Sequence, residues 1–206
     1  MYKIYGWKLS GSLATEAALK EAGADYEIVP VNIKAGEQHQ EEYGRINPRR
    51  QVPALALPDG NIMTEGAAIL LHIADAHPQS RLAPPPGSSE RAQHDRWLFF
   101  FAVNVYEGEL RKLVPQNYVS SADCVEEVKA AAESYVEWHY RIFEKAIGDG
   151  PYTFGDTFTV LDVYVWMLAQ WMPTDWLAEV CPKINRLVES AKARPNIAPV
   201  QKWHFG

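Results

Sequence analysis

Val52-Pro53 and Glu65-Gly66 lie about a dozen residues apart, and together they could hold an extended, anionic, peptide-like molecule. Proline 53 has no N–H and cannot donate to a sheet ladder. If its peptide bond is cis, the bend turns the N–H and C=O of Val52 toward a ligand rather than a neighbouring strand. Glu65-Gly66 opens an apolar run through Leu71, a helix by length and pattern. A helix start offers free N–H groups and the positive end of the backbone dipole, which suit a carboxylate. The plainer reading of the segment is a hairpin followed by a helix, with Pro53 on an edge strand. Metal chemistry is not indicated: the six histidines are scattered, and neither H-E-x-x-H nor C-x-x-C occurs.

The elements around these residues can be read from pattern. Ala54 to Leu57 is a short apolar run, Pro58-Asp59-Gly60-Asn61 is turn chemistry, and Ile62 to Thr64 completes a hairpin. Upstream, residues 2–5 alternate as a strand and 6–12 form a loop. Residues 13–22 form a helix stopped by Gly23, and 26–31 a second strand. A short polar helix over 37–45 precedes the hairpin, and the helix at 66–76 follows it. The order is βαβαββα, and its strand-helix-strand start implies parallel pairing by a right-handed crossover. Residues 78–89, with several prolines and serines, read as a linker. Beyond it only helices are expected, at 90–114, 123–147, from Thr159 to about Met172, and at 182–193. Thr159 and Asp162 form a capping box at the start of the third. The chain thus divides into an α/β domain at 1–77, a linker at 78–89 and an all-α domain at 90–206.

Composition narrows the function. The 206 residues are 47% hydrophobic and 22% charged, with net charge -6, which argues against nucleic acid as a partner. Two cysteines, Cys124 and Cys181, are too few for a disulfide framework. No stretch approaches the roughly 20 apolar residues needed to span a bilayer, and no signal peptide is evident. A cytoplasmic protein without a membrane partner is expected. Seven tryptophans and ten tyrosines should lie mostly in the core or in pocket walls.

The segment Q-V-P-A-L, a hairpin turn and then T-E-G-A-A-I-L resembles the glutathione-binding segment of the cytosolic glutathione S-transferases. The likeness is to bacterial, beta-class-like and theta-like members, and it extends along the chain. F-G-D-T-F-T-V-L-D at 154–162 is similar to the family's F-G-D-x-F-T-x-A-D, which reads as a fold-stabilising cap. The resemblance implies a thioredoxin-like first domain and a helical second domain carrying the acceptor pocket. It also implies glutathione as co-substrate, no metal, and a homodimer. Val52 and Pro53 then match the site that pairs with the cysteinyl backbone of glutathione. Glu65 and Gly66 match the γ-glutamyl site, with glycine in place of the commoner serine hydroxyl. Gln51 precedes the proline as in beta-class members. Lys34 falls where a basic residue commonly meets the glycyl carboxylate, and Gln38 where some classes carry His or Gln. For Lys34 and Gln38 a solvated surface is an equal alternative.

Such a protein activates a thiol, because only the thiolate attacks well and a donor aimed at the sulfur favours the anion. In the family that donor lies in the loop after the first strand, which here reads G-W-K-L-S-G-S-L-A-T. Aligned on the beta class, its cysteine falls on Gly11; aligned on the Ser-type classes, the serine falls on Leu9. Ser10 and Ser12 are therefore the candidate catalytic residues, in that order, with an N-cap role the alternative for Ser12. The beta-class pocket histidine falls on Tyr106, either a wall of the acceptor pocket or a donor to sulfur or acceptor. The aromatic tail Trp203-His204-Phe205 either folds over the pocket or frays. The expected reaction is glutathione conjugation or displacement on a small hydrophobic electrophile. The alternatives are glutathione-dependent disulfide or peroxide reduction, and a non-catalytic ligand-binding role.

Overall fold

The computed structural model describes residues 1–205. Its first domain is a four-stranded sheet in the order β2-β1-β3-β4. β1 (Tyr2–Gly6) pairs in parallel with β2 (Tyr26–Pro30) and antiparallel with β3 (Ala54–Ala56), which pairs antiparallel with β4 (Ile62–Met63). Ile4 faces Ile28 on one side and Leu55 on the other, and both Ile4 and Leu55 are buried. This is the thioredoxin-like arrangement expected from the sequence, with shorter hairpin strands. The polar helix expected at 37–45 is split into a single 3₁₀ turn, Glu37–His39, and α2 (Glu41–Ile46).

Helix α1 (Ser12–Glu21) packs against α3 (Gly66–Ala76). Its buried face includes Ala14, Ala17 and Ala18, small residues that let helices approach closely. The chain leaves α1 through Gly23 at φ +66°, a left-handed position that only glycine takes without cost.

Among the described residues the remaining helices and turns follow, with two isolated bridges at 152–157. α4 (Ser89–Phe100) starts on a Ser88 cap whose Oγ accepts the Arg91 N–H at 3.0 Å. Where the sequence predicts one uninterrupted helix over 90–114, the structure has α4, a π turn at Phe101–Tyr106, and α5 (Glu107–Leu113). Asn104 Nδ2 donates to the Phe100 carbonyl at 3.0 Å, taking an acceptor that a regular helix reserves for a backbone N–H. The extra residue in a π turn rotates everything that follows it. Helices α6 (Val125–Ala146), α7 (Val160–Ala169), α8 (Thr174–Val180), α9 (Pro182–Lys192) and α10 (Ile197–Phe205) complete the chain. Among the described residues no helix is long and apolar enough to cross a membrane.

Helix α7 is buried along its whole length and touches α1 and α3 of the first domain as well as α4 and α9 of the second. Its start is built on Asp162. That carboxylate accepts the Thr159 N–H at 2.8 Å, the Thr159 hydroxyl at 2.9 Å and the Thr153 N–H at 2.8 Å. Two bidentate arginines tie the domains together. Arg91 of α4 holds Asp75 of α3 at 2.8 and 2.9 Å, and Arg194 holds Glu21 of α1 at 2.8 Å through both nitrogens.

The aromatic residues 203–205 are helical and line neither of the two cavities described below. They belong to α10, which docks behind the loop after β1. There the buried His204 accepts the Leu9 N–H on Nδ1 at 3.1 Å and, through Nε2, bonds Glu16 at 2.9 Å. Lys8 lies over the Trp203 ring at 3.9 Å. The helix was hidden in the sequence by Pro195 and Pro199. Pro199 falls in the first turn, where no intrahelical N–H is needed.

Replacing Asp162 by alanine should leave two buried N–H donors unpaired at the start of the helix that joins the domains. The expected loss is about 2–4 kcal/mol, or roughly 5–15 °C in Tm for a chain of this size. Calorimetric melting checks it, and an unchanged Tm would show the cap to be dispensable.

Candidate functional site

The loop before β3 is pinned from behind. Gln51's carbonyl accepts the Tyr43 hydroxyl at 2.6 Å and Asn47 Nδ2 at 2.7 Å, while Asn47 Oδ1 accepts the Arg49 N–H at 3.0 Å. The Val52-Pro53 peptide bond is cis. The β3 ladder begins only at Ala54, so the N–H and C=O of Val52 stand outside it. After β4 the chain turns through Glu65 at φ +67°, an unusual conformation for a side-chain-bearing residue and one that recurs at functional sites. The first backbone bond of α3 is donated by Ile69 to the Glu65 carbonyl, which leaves the N–H groups of Gly66, Ala67 and Ala68 free of helical partners.

These features converge. A cavity of about 420 Å³ is lined by Gln51, Val52 and Pro53, by Glu65 to Ala68, by Phe99, Val103 and Tyr106 of the helical domain, and by Tyr164 of α7. A second cavity of about 460 Å³ adjoins it, with apolar walls from Leu9, Ile33, Leu110, Leu113, Val114 and Trp171. Gly11, Arg49, Gln51, Val52 and Tyr106 line both. Gln38, with His39 and Arg50, borders the second, whereas Lys34 is exposed and lines neither.

Arg49 gave no signal in the sequence. Its Nη1 lies 3.1 Å from both Glu65 carboxylate oxygens, and Nη2 lies 4.0 Å from Glu107. The pair is exposed, so its worth is modest, but it fixes where the Glu65 charge sits at the cavity mouth. Proximity to Glu65 depends on a tertiary contact between two loops that no local pattern encodes.

The two candidate serines lie close together in the loop after β1. Ser10 Oγ donates to the Trp7 carbonyl at 2.7 Å, Ser12 Oγ donates to the same carbonyl at 3.0 Å, and the two hydroxyls lie 2.9 Å apart. Ser12 lines neither cavity and does not cap α1, whose N-cap is Gly11 with no side-chain bond. The N-cap alternative for Ser12 is thereby corrected: its hydroxyl turns back into the loop. Ser10 touches the second cavity, but its donor serves Trp7.

Tyr106 stands at the boundary of the cavities. Its ring stacks on Tyr164 with centroids 6.2 Å apart and 7° between planes, and meets Trp171 edge-on at 5.5 Å. Burial, with Glu107 and Glu65 nearby, pushes its hydroxyl up to about 12, so it stays protonated at neutral pH. Tyr164 is pushed up by burial in the same way. Cys124 is exposed at the start of α6, Cys181 is buried, and neither lines a cavity. Among the described residues no cluster of His, Cys, Asp or Glu could hold a metal ion.

Comparison with known proteins places the chain in a family. The glutathione S-transferase N-terminal domain matches residues 2–75, and the glutathione S-transferase C-terminal domain matches residues 111–202. The chain is 32% identical over 161 residues to glutathione S-transferase GstA of Escherichia coli O157:H7, covering 78% of this chain and 77% of that one. It is 31% identical over 207 residues to the GST-like protein YncG of Escherichia coli K12, covering 98% of each. A glutathione transferase homologue from Sulfitobacter, solved with bound glutathione, superposes with a TM-score of 0.90 at 27% identity over 98% of both chains. With a cis-proline loop, an open helix start and an all-helical second domain behind these matches, the chain belongs to the glutathione S-transferase family.

Proposed function

We propose that the protein catalyses attack of the glutathione thiolate on a small, apolar electrophile. The observation that carries this reading is the meeting, in one cavity, of a main-chain pairing site, a free helix start and a carboxylate, next to a second cavity with apolar walls. Val52 pairs with the cysteinyl main chain. The N–H groups of Gly66 and Ala67 receive the γ-glutamyl carboxylate, and Glu65 receives its ammonium. The glycyl end runs toward Gln51, Gln38 and Arg50, with exposed Lys34 acting only at longer range. The sulfur then faces the second cavity, where the electrophile sits. The new C–S bond forms with the sulfur electron pair, and the leaving group departs with the pair of the bond that breaks.

Disulfide or peroxide reduction through a protein thiol is not favoured, because both cysteines lie away from the cavities. Two free cysteines and a reduced tripeptide co-substrate fit a cytoplasmic setting. Electrophile conjugation there is a detoxification reaction.

Glu65→Ala should weaken glutathione binding by about 1.5–3 kcal/mol, since it removes a charge-assisted contact. Calorimetry measures it directly, and wild-type affinity in the variant would remove the γ-glutamyl assignment.

The same reading makes the protein a homodimer. Phe99 and Val103 beside the first cavity, and Tyr135 and Trp138 on α6, are exposed large apolar side chains. A second copy lying on this face would bury them and close the cavity's outer side. Sedimentation at micromolar concentration should give twice the chain mass, and Val103→Glu should shift it to monomer. A wild-type monomer refutes this assembly.

A further inference from the structure

The glutathione site contains two glycines where a side chain could have presented a donor, and each faces a tyrosine hydroxyl from the helical domain. Gly11 has φ -57°, which any residue adopts, so backbone conformation does not demand glycine there. Space does. A Cβ at Gly11 would lie 2.5 Å from the Tyr106 oxygen and 3.2 Å from Pro53 Cδ. The Tyr106 hydroxyl therefore occupies the volume in which a side chain at 11 would begin, in the cavity that Val52 and Pro53 also line. At Gly66 a Cβ would meet the Tyr164 ring at 3.6 Å and its oxygen at 3.7 Å, ordinary contact distances. Tyr164 thus brings a hydroxyl to the first turn of α3.

We propose that these stacked tyrosines supply the donors the first domain lacks, Tyr106 to the glutathione sulfur and Tyr164 to the γ-glutamyl carboxylate. The inference rests on the glutathione reading above and names the groups that complete it. Three observations favour it over the serines of the loop. First, each serine hydroxyl is within donating distance of the Trp7 carbonyl, which takes its one proton. Second, Tyr106 lines both cavities and Tyr164 lines the first, alongside Val52, Glu65 and Gly66. Third, the Tyr106 ring is held by Tyr164 on its face and Trp171 on its edge, so the hydroxyl is positioned before a ligand arrives. Because Tyr106 keeps its proton at neutral pH, it acts as a neutral donor and not as a base. The thiol proton passes to water, and the phenolic O–H bonds the thiolate left behind.

The test compares wild type with Tyr106→Phe, Tyr164→Phe, Ser10→Ala and Gly11→Ala. The bound thiol is titrated by its ultraviolet thiolate absorbance, and S-methylglutathione, which has no thiol to ionise, is bound calorimetrically. Losing a neutral donor disfavours the anion, so Tyr106→Phe should raise the thiol pKa by about one to two units, lowering thiolate at neutral pH by roughly tenfold or more. S-methylglutathione affinity should stay within about threefold, because the anion it would have stabilised is absent. Gly11→Ala should raise the thiol pKa as well, since its methyl group displaces the tyrosine hydroxyl. Tyr164→Phe should leave the thiol pKa alone and weaken S-methylglutathione about tenfold. Ser10→Ala should change neither. Phenylalanine keeps both rings, so the stacked packing survives in these variants. A wild-type thiol pKa in Tyr106→Phe, or a raised one in Ser10→Ala, overturns the inference while leaving the glutathione reading intact. Failure of the wild-type protein to bind either peptide overturns both.

Discussion

The close approach of the helical domain to the loop after β1 is the constraint on which the site depends. Glycine at 11 removes the one atom that would collide with the Tyr106 hydroxyl where it meets the loop. The rest of the architecture holds the two surfaces at that separation. Helix α7 runs buried between the domains on a cap built from Asp162. Arg91 and Arg194 clamp α3 and α1 from the other side, and His204 fixes the Leu9 amide from behind. Packed interiors do not deform continuously, so a shift at any of these contacts moves the hydroxyl relative to Val52. The π turn belongs to the same set of constraints, because its extra residue sets which face of the long helix carries Tyr106.

The electrostatics of the site are economical. Most of its donors are backbone N–H groups and neutral hydroxyls, which need no counter-ion and are not screened as charges are. The ionic component is Arg49 with Glu65 and Glu107, at the exposed mouth. Neutral hydroxyls of Tyr106 and Tyr164 stand in the cavity wall, and the charged groups stand at the rim. Burial raises the strength of a hydrogen bond to an anion, which is why a hydroxyl in the wall can matter more there than a lysine in solvent.

Parts of this were legible in the sequence because their causes are local. A proline after Val52, turn chemistry at 58–61 and an acidic residue before an apolar helix each act within a few residues, and the structure places all three as read. The Thr159–Asp162 capping box is equally local. The division into a βαβαββα domain and a helical domain followed from periodicity and the proline-rich stretch between them. Other features have tertiary causes. The π turn depends on the Asn104 amide reaching the Phe100 carbonyl. Which way the hydroxyls of Ser10 and Ser12 turn depends on where the Trp7 carbonyl lies. The value of Gly11 appears only when a tyrosine nearly a hundred residues later is seen to fill its space. Counting along the long helix brought Tyr106 to the pocket but left its role undecided between wall and donor.

A crystal structure of the complex with reduced glutathione tests the central claim most directly. The account predicts the cysteinyl main chain paired with Val52, and the sulfur within hydrogen-bonding distance of the Tyr106 oxygen, about 3–3.5 Å away. A sulfur bonded instead to a turned-out Ser10 hydroxyl or to the loop backbone, with Tyr106 beyond reach, would contradict it.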